Sequence, residues 1–454
     1  MLAAGRFLKR QLSNRGLHEN DGDDTENGEE IEEEVPPPPY AILLDKLHTN
    51  FNVFFDTLVL GDDFLGVDYV LLIRALCHNT TVRHVTVESG FLGAFNTDEI
   101  RILLEVVGGM PKLETLRIFY FPEMAMQAKT VANVLNRTKN LKEIYFNELE
   151  LAGDDYDMEP LGEALAKLKA LRRASFTQLG LEEEEEDNDP ISPDHIVSSL
   201  SHLPLLEDVV ITTRRKFVWR FDSLGGLCAS RSLKSLTLQN MDLNTTQLSS
   251  IAASLSGETS SLTILRLSRC GIDTEGWRAI ASILPENKSL LHLDLSQCET
   301  LDDDGCFILG SCLEGNGTLK MLQLHNDICS NVTSRGISSL FRSLEANESL
   351  ECLEISFSAK DVFGYKSAAE CLCRNSALKK LYLENHGTQV TTAGIVAIGK
   401  ALEENNETLE QLAIIFDGAD NNGVLALAQA MQTSTTLKHF TFNRAEYRSH
   451  FNKL

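Results

Sequence analysis

The chain has 454 residues, 43% of them apolar and 24% charged, which is enough for a large core in an ordinary globular protein. Its formal net charge of −25 argues against nucleic acid or anionic lipid as partner, since phosphate binding needs a basic footprint. A basic protein partner suits it better, because opposite charge speeds encounter. The most apolar stretch, Tyr69 to Cys77, is short and contains Arg74, so no membrane span is expected.

Residues 1–40 read as a disordered tail, too poor in apolar side chains to pack. Met1 to Leu17 carries Arg6, Lys9, Arg10 and Arg15 but no acid, and it lacks the apolar block of a secretory signal. A cytoplasmic protein is expected, with a mitochondrial or other organellar transit segment as the alternative. Glu19 to Glu34 holds ten acids and no base. Pro36 to Tyr40 reads PPPPY, a stiff spacer. Pro37, Pro38 and Tyr40 also fit the P-P-x-Y ligand of WW domains, which grip a preformed polyproline helix.

From residue 41 to residue 454 a repeat organises the chain. The pattern L-x-x-L-x-L starts at Leu113, Leu141, Leu233, Leu262, Leu290, Leu319, Leu350, Leu378, Leu409 and Leu437, with weaker copies at Phe55, Val82, Leu171 and Leu206. From Phe55 to Leu437 is 382 residues over thirteen intervals, about 29 each. Between copies, apolar residues recur at helical spacing, as in Ile337, Leu340, Phe341 and Leu344. Period 2 in L-x-L and period 3.6 between copies predict one strand and one helix per repeat. A glycine opens the helix at Gly276, Gly305, Gly336, Gly364, Gly394 and Gly423, where tight contact with the neighbouring repeat is expected. An asparagine closes it at Asn79, Asn287, Asn316, Asn347, Asn375 and Asn406, where a left-handed turn is expected.

Such a unit cannot bury its apolar side alone. Stacking sets the strands side by side in a parallel sheet and covers them with helices. The expected fold is α/β: a curved solenoid, or horseshoe, with strands inside, helices outside, about 13–14 repeats and terminal caps. The chain resembles the ribonuclease-inhibitor-like leucine-rich-repeat family from about Phe55 to Asn443. The residues that carry the resemblance are the period, L-x-x-L-x-L followed by cysteine in LTILRLSRC and LLHLDLSQC, and the N-x-[ST]-L helix exit. Cys270 and Cys298 match that family's asparagine-or-cysteine turn position, which implies a structural role. Irregular stacking is expected after Leu171, whose repeat has Ala174 for its second leucine and is followed by the acidic run Glu182 to Asp189. The ten cysteines, with no C-x-x-C pair, read as reduced and mostly buried. Eight Asn-x-Ser/Thr sequons occur, but five of them sit at the helix exit, so the fold accounts for them.

Two surfaces are candidates for binding. The middle column of the strands should face solvent, and Arg117, Tyr145, Arg266, Glu354 and Tyr382 are its best anchors, with Phe119 beside them. His292 and Asp294 can pair on one strand face. The basic-aromatic segment Arg214, Arg215, Lys216, Trp219 and Arg220 is the second surface. Neither contains a nucleophile–base set or a metal-ligand cluster, and phosphate-cradling glycine patterns are absent from the sequence, so no catalysis, cofactor or metal is expected. The chain reads as a non-catalytic interaction scaffold that binds a protein across its concave face. The alternatives are a regulator of a small GTPase, similar to solenoid GTPase-activating proteins whose acidic tail is C-terminal, or an inhibitor of a basic enzyme.

Overall fold

Each L-x-L segment forms a short strand, because alternate leucines bury one side of it while the residues between them do not. In the computed structural model the described residues are 44, 47, 56–119, 126–148, 150–152, 158–181, 194–213, 222–256, 260–326, 330–358, 361–386, 392–404, 406–416 and 421–442. The chain divides into two units, Met1–Leu171 and Arg172–Leu454.

The strands of the first unit are β1 (Thr57–Leu60), β2 (His84–Val87), β3 (Thr115–Phe119), β4 (Met126–Gln127), β5 (Glu143–Asn147) and β6 (Glu150–Ala152). β1, β2, β3 and β5 pair in parallel in that order, with Leu58, Val85, Leu116 and Ile144 in one register row. β4 and β6 form a small ladder of their own. The helices are α1 (Tyr69–His78), α2 (Ser89–Leu92), α3 (Thr97–Gly108), α4 (Ala128–Leu135) and α5 (Glu159–Ala166). Asp68 caps α1 by accepting from Val70 and Leu71, and Asn96 and Glu99 make a reciprocal capping box on α3.

The second unit continues with β7 (Arg173–Leu181), β8 (Asp208–Thr213), β9 (Ser235–Gln239), β10 (Ile264–Ser268), β11 (His292–Asp294), β12 (Met321–Leu324), β13 (Cys352–Phe357), β14 (Lys380–Asn385), β15 (Gln411–Phe416) and β16 (His439–Phe442). Each pairs in parallel with the next, and Leu236, Leu265, Leu293, Leu322, Leu353, Leu381, Leu412 and Phe440 form one row. Between them lie α6 (Asp194–Ser201), α7 (Leu224–Cys228), α8 (Thr245–Leu255), α9 (Thr274–Ile283), α10 (Asp303–Leu313), α11 (Ser334–Leu344), α12 (Phe363–Arg374), α13 (Thr392–Glu404) and α14 (Asn421–Thr433), packed side by side. Four ladder strands in the first unit and ten in the second match the repeat count expected from the period. Both units are leucine-rich-repeat solenoid. As expected, stacking is irregular after Leu171: the β7–β8 register slips between Phe176 and Leu179. The acidic run Glu182 to Asp189 and residues 1–40 lie outside the described residues.

The helix-exit asparagines hold successive repeats together. Asn347 is buried; its amide donates to the carbonyls of Leu313 and Asn316 at 2.7 and 2.9 Å. Its Oδ1 accepts from the backbone of Ser349 and Leu350 at 3.0 and 2.7 Å. Asn79, Asn287, Asn316, Asn375 and Asn406 repeat the arrangement one turn of the stack at a time. The expected left-handed conformation is wrong: Asn79 and Asn375 have φ of −72° and −78°, in extended backbone. The side chain is needed as an acceptor and donor, not for its tolerance of positive φ. Left-handed residues occur instead after strands, at Glu148, Asn240, Arg269 and Gln297, and at the register slip within β7, at Gln178. The sequons at Asn79, Asn287, Asn316, Asn347 and Asn406 are all buried, so the fold does occupy their amides.

The helix-opening glycines make the close contacts expected of them. A Cβ on Gly364 would lie 2.5 Å from Ile337, and one on Gly394 would lie 2.7 Å from Tyr365, both in the preceding repeat. The residue after each repeat's first leucine alternates in charge. Glu114 lies between Arg83 and Lys142, Glu207 between Arg172 and Lys234, and Glu351 between Lys320 and Lys379. Two consecutive bases, Lys142 and Arg172, and then Thr263 and exposed Leu291 interrupt the alternation. Hydrogen bonds from Lys142, and less from Arg83, hold the Glu114 carboxyl below the usual range. These pairs are solvated, so they fix register more than they stabilise.

No disulfide joins the nine described cysteines, and six are buried. Cys270 and Cys298 donate Sγ–H to the carbonyls of Leu238 and Leu267 in the previous repeat, which is the structural role the turn position implied. Burial pushes the thiols of Cys228, Cys352 and Cys371 up to about 12, so they are unreactive.

Candidate functional site on the strand faces

In the first unit, Arg117 and Tyr145 stand opposite each other on β3 and β5. The Arg117 guanidinium carbon lies 4.7 Å from the centre of the Tyr145 ring. Tyr145 donates its hydroxyl to Glu143 at 3.2 Å, and the same carboxylate lies 4.0 Å from Arg117. Phe119, two residues along β3, is 38% exposed, large for an unpaired aromatic ring. The structure therefore gathers three of the expected anchors into one patch, with a cation spread over a ring and a carboxylate holding both.

In the second unit the strand face changes character along the stack. On β9, β10 and β11 the burial alternates, so Thr237, Arg266 and Asp294 are half-buried, as expected of the middle column. From β12 to β15 the alternation is lost. Glu354 and Tyr382 are each only 5% exposed, and Ala413 is buried too. The expectation that Glu354 and Tyr382 are free-standing anchors is therefore corrected.

The physical reason lies across the strands. His325 on the β12 side and Tyr382 on β14 meet edge to face, with ring centres 5.9 Å apart. β13 runs between those two strands, so the rings close over it. Beneath them Ser356 is fully buried, as is nearly all of Glu354. Gln323 donates its amide to Glu354 Oε2 at 2.8 Å, which turns its own Oε1 towards His292 Nε2, 2.6 Å away. His292 is thus the donor in that contact. His292 does not pair with Asp294 by hydrogen bond; Asp294 accepts from the backbone of Ser296 at 2.9 Å. On the far side Tyr382 donates to Glu384 at 3.2 Å.

Burial sets the protonation of this row. It holds His292 below the usual imidazole range, against the pull of its Gln323 contact. It pushes Glu354 above the usual carboxylate range, with the Gln323 hydrogen bond and the nearby His325 pulling the other way. Glu354 Oε1 has no hydrogen-bond partner among the described residues. Gln323, His325 and Glu384 were visible in the sequence only as members of the face. That they form a closed row with Glu354 was missed, since no local motif encodes a contact across three strands.

Arg214, Arg215 and Trp219 lie outside the described residues, as do Pro37, Pro38 and Tyr40. Among the described residues no group of three or more His, Cys, Asp or Glu is placed to hold a metal ion, and no helix is long and apolar enough to cross a membrane.

No protein-family model matches the chain. Among curated proteins it is similar to "NACHT, LRR and PYD domains-containing protein 4E" of Mus musculus, with 28% identity over 209 residues, 45% of this chain and 20% of that protein. It is also similar to "Ribonuclease inhibitor" of Sus scrofa, with 27% identity over 214 residues, 47% of this chain and 46% of that protein. The aligned stretch thus spans less than half the length of either relative. Among solved structures, a chain from the crystal structure of the yeast Rad7 and Elc1 complex aligns with 82% of this chain and 86% of its own length, with 14% identity and a TM-score of 0.42. The repeat period, the parallel ladders, the asparagine and cysteine positions and these relatives agree: the chain is a leucine-rich-repeat solenoid similar to the ribonuclease-inhibitor-like proteins.

Proposed function

We propose that the chain is a non-catalytic binding module that seats a protein partner on its strand faces. The observation that carries this reading is the Arg117–Tyr145 stack beside exposed Phe119. Arginine and tyrosine pre-ordered by a shared carboxylate, next to an uncovered aromatic ring, have the composition and rigidity of a binding hot spot. The second unit offers Arg266 and Asp294 on the open part of its own face. A net charge of −25 favours a basic partner. One relative is by name an inhibitor of a ribonuclease, so binding a protein lies within the family's range.

The test is capture of partners by the full chain, with identification by mass spectrometry, followed by titration against Arg117→Glu and Tyr145→Ala. Each substitution should weaken a specific partner by about 1–4 kcal/mol while the melting curve stays cooperative. Undiminished binding by both variants would overturn this reading.

A further inference from the structure

The row beneath the His325–Tyr382 contact has hydrogen bonds that run in one direction. His292 donates to Gln323, and Gln323 donates to Glu354. The row ends on a carboxylate, and its last oxygen, Glu354 Oε1, is buried with no donor among the described residues. A buried acceptor left without a donor is costly, and such groups in native folds call for an explanation. Among the described residues nothing nearby supplies the missing donor. Tyr382, in register with Glu354, gives its proton to Glu384. Lys380 and His325 act on Glu354 through their charge, without a hydrogen bond to it. Asp294, in register with Gln323, adds a second acid to the side of the row that Glu384 leaves open.

We propose that this row is a pocket for one cationic side chain, an arginine or lysine of the protein partner, which enters beneath the His325 ring and donates to Glu354 Oε1. The chemistry fits on each side. A cation supplies N–H donors and positive charge to a carboxylate shielded from water, where charge-assisted hydrogen bonds are strongest. The His325–Tyr382 pair adds aromatic surface beside it. His325 is half-buried whereas Tyr382 is only 5% exposed and donates to Glu384, so the cation enters on the His325 side. This inference rests on the proposal that the strand face seats a protein, and it names the group that the second unit recognises.

The test uses the full chain with N-acetyl-arginine amide as probe and its neutral isostere N-acetyl-citrulline amide as control. The readout is the imidazole NMR signals of His325 and His292. Arginine amide should shift both signals in a saturable way, and citrulline amide should need at least about tenfold more for the same shift. Glu354→Gln should weaken the arginine response by about tenfold or more, with an unchanged circular dichroism spectrum. Should that variant fail to fold, His325→Ala, read at His292, decides the matter: an open pocket should bind arginine amide more tightly. Equal responses to arginine and citrulline, a Glu354→Gln protein that binds like the parent, or a weaker His325→Ala would each overturn the pocket. A captured partner lost on Arg117→Glu but kept on Glu354→Gln would overturn the pocket and leave the strand-face reading standing. A partner indifferent to both would overturn that reading as well.

Discussion

Gln323 donates its side-chain amide to Glu354 across the β12–β13 pair at 2.8 Å, and the carboxylate that accepts it is 95% shielded from solvent. A charge in that position is opposed by burial, which raises the Glu354 pKa from 4.5. A carboxyl whose folded pKa is raised stabilises the fold most when protonated. Its contribution is full below the unfolded value and is lost as pH rises through the folded value. The parent should therefore lose stability relative to Glu354→Gln as pH rises from about 4.5 towards neutrality. Paired thermal melts across that range check this. A difference independent of pH would mean that Glu354 ionises as freely as a surface acid.

Asn347 and Asn331 both belong to Asn-x-Ser/Thr sequons and both donate to a carbonyl of a preceding repeat. Asn347 is buried with two accepted backbone amides as well, whereas Asn331 is exposed. Asn347→Ala should cost at least about 2 kcal/mol, since it leaves several buried groups unpaired, and Asn331→Ala under about 1 kcal/mol. Urea unfolding of both variants measures the contrast. Equal costs would mean that the asparagine ladder does not tie the repeats.

Leu293 is fully buried in the leucine row, while its neighbour Asp294 is half-buried on the opposite face. Leu293→Ala should cost about 2–5 kcal/mol through the cavity it leaves. Asp294→Ala loses the acceptor for the Ser296 amide and should cost about 0.5–1.5 kcal/mol. The reverse order in denaturant titration would mean that the strand register is wrong.

Tyr145 and Tyr382 occupy the same column of the repeat but different surroundings. Tyr145 is half-buried against Arg117, and Tyr382 is enclosed by His325. Tyr382→Ala should cost about 3–5 kcal/mol, as truncation of a buried aromatic does. Tyr145→Ala should cost about 1 kcal/mol, the scale of a cation–π contact at a partly exposed site. Calorimetry separates the two, and similar losses would contradict the closed row.

What the sequence made legible is what repeats. Leu265, Leu293 and Leu322 recur at the strand period, so the ladder and its buried side follow from spacing alone. The column that holds Arg117, Tyr145, Arg266 and Tyr382 follows from the same alternation. Whether a column residue meets solvent does not, because Tyr382 is covered by His325, a residue two repeats earlier in the stack. The left-handed turns at Glu148, Gln178, Arg269 and Gln297 were equally hidden, since the signal for such turns is glycine or asparagine and only Asn240 carries it. The asparagines that do stand out serve hydrogen bonding in extended backbone, a use that composition cannot tell apart from a helix cap.

The central claim is that the strand faces, not the helices, meet the partner. Hydroxyl-radical footprinting of the captured complex tests it most directly, because exposed aromatic rings mark both sides. Phe119 and Tyr145 report on the strand face of the first unit, and exposed Phe307 on α10 and Phe363 on α12 report on the helices of the second. Partner binding should suppress oxidation of Phe119 and Tyr145 and leave Phe307 and Phe363 oxidised as in the free protein. Protection of Phe307 or Phe363, with Phe119 and Tyr145 unchanged, would contradict the account.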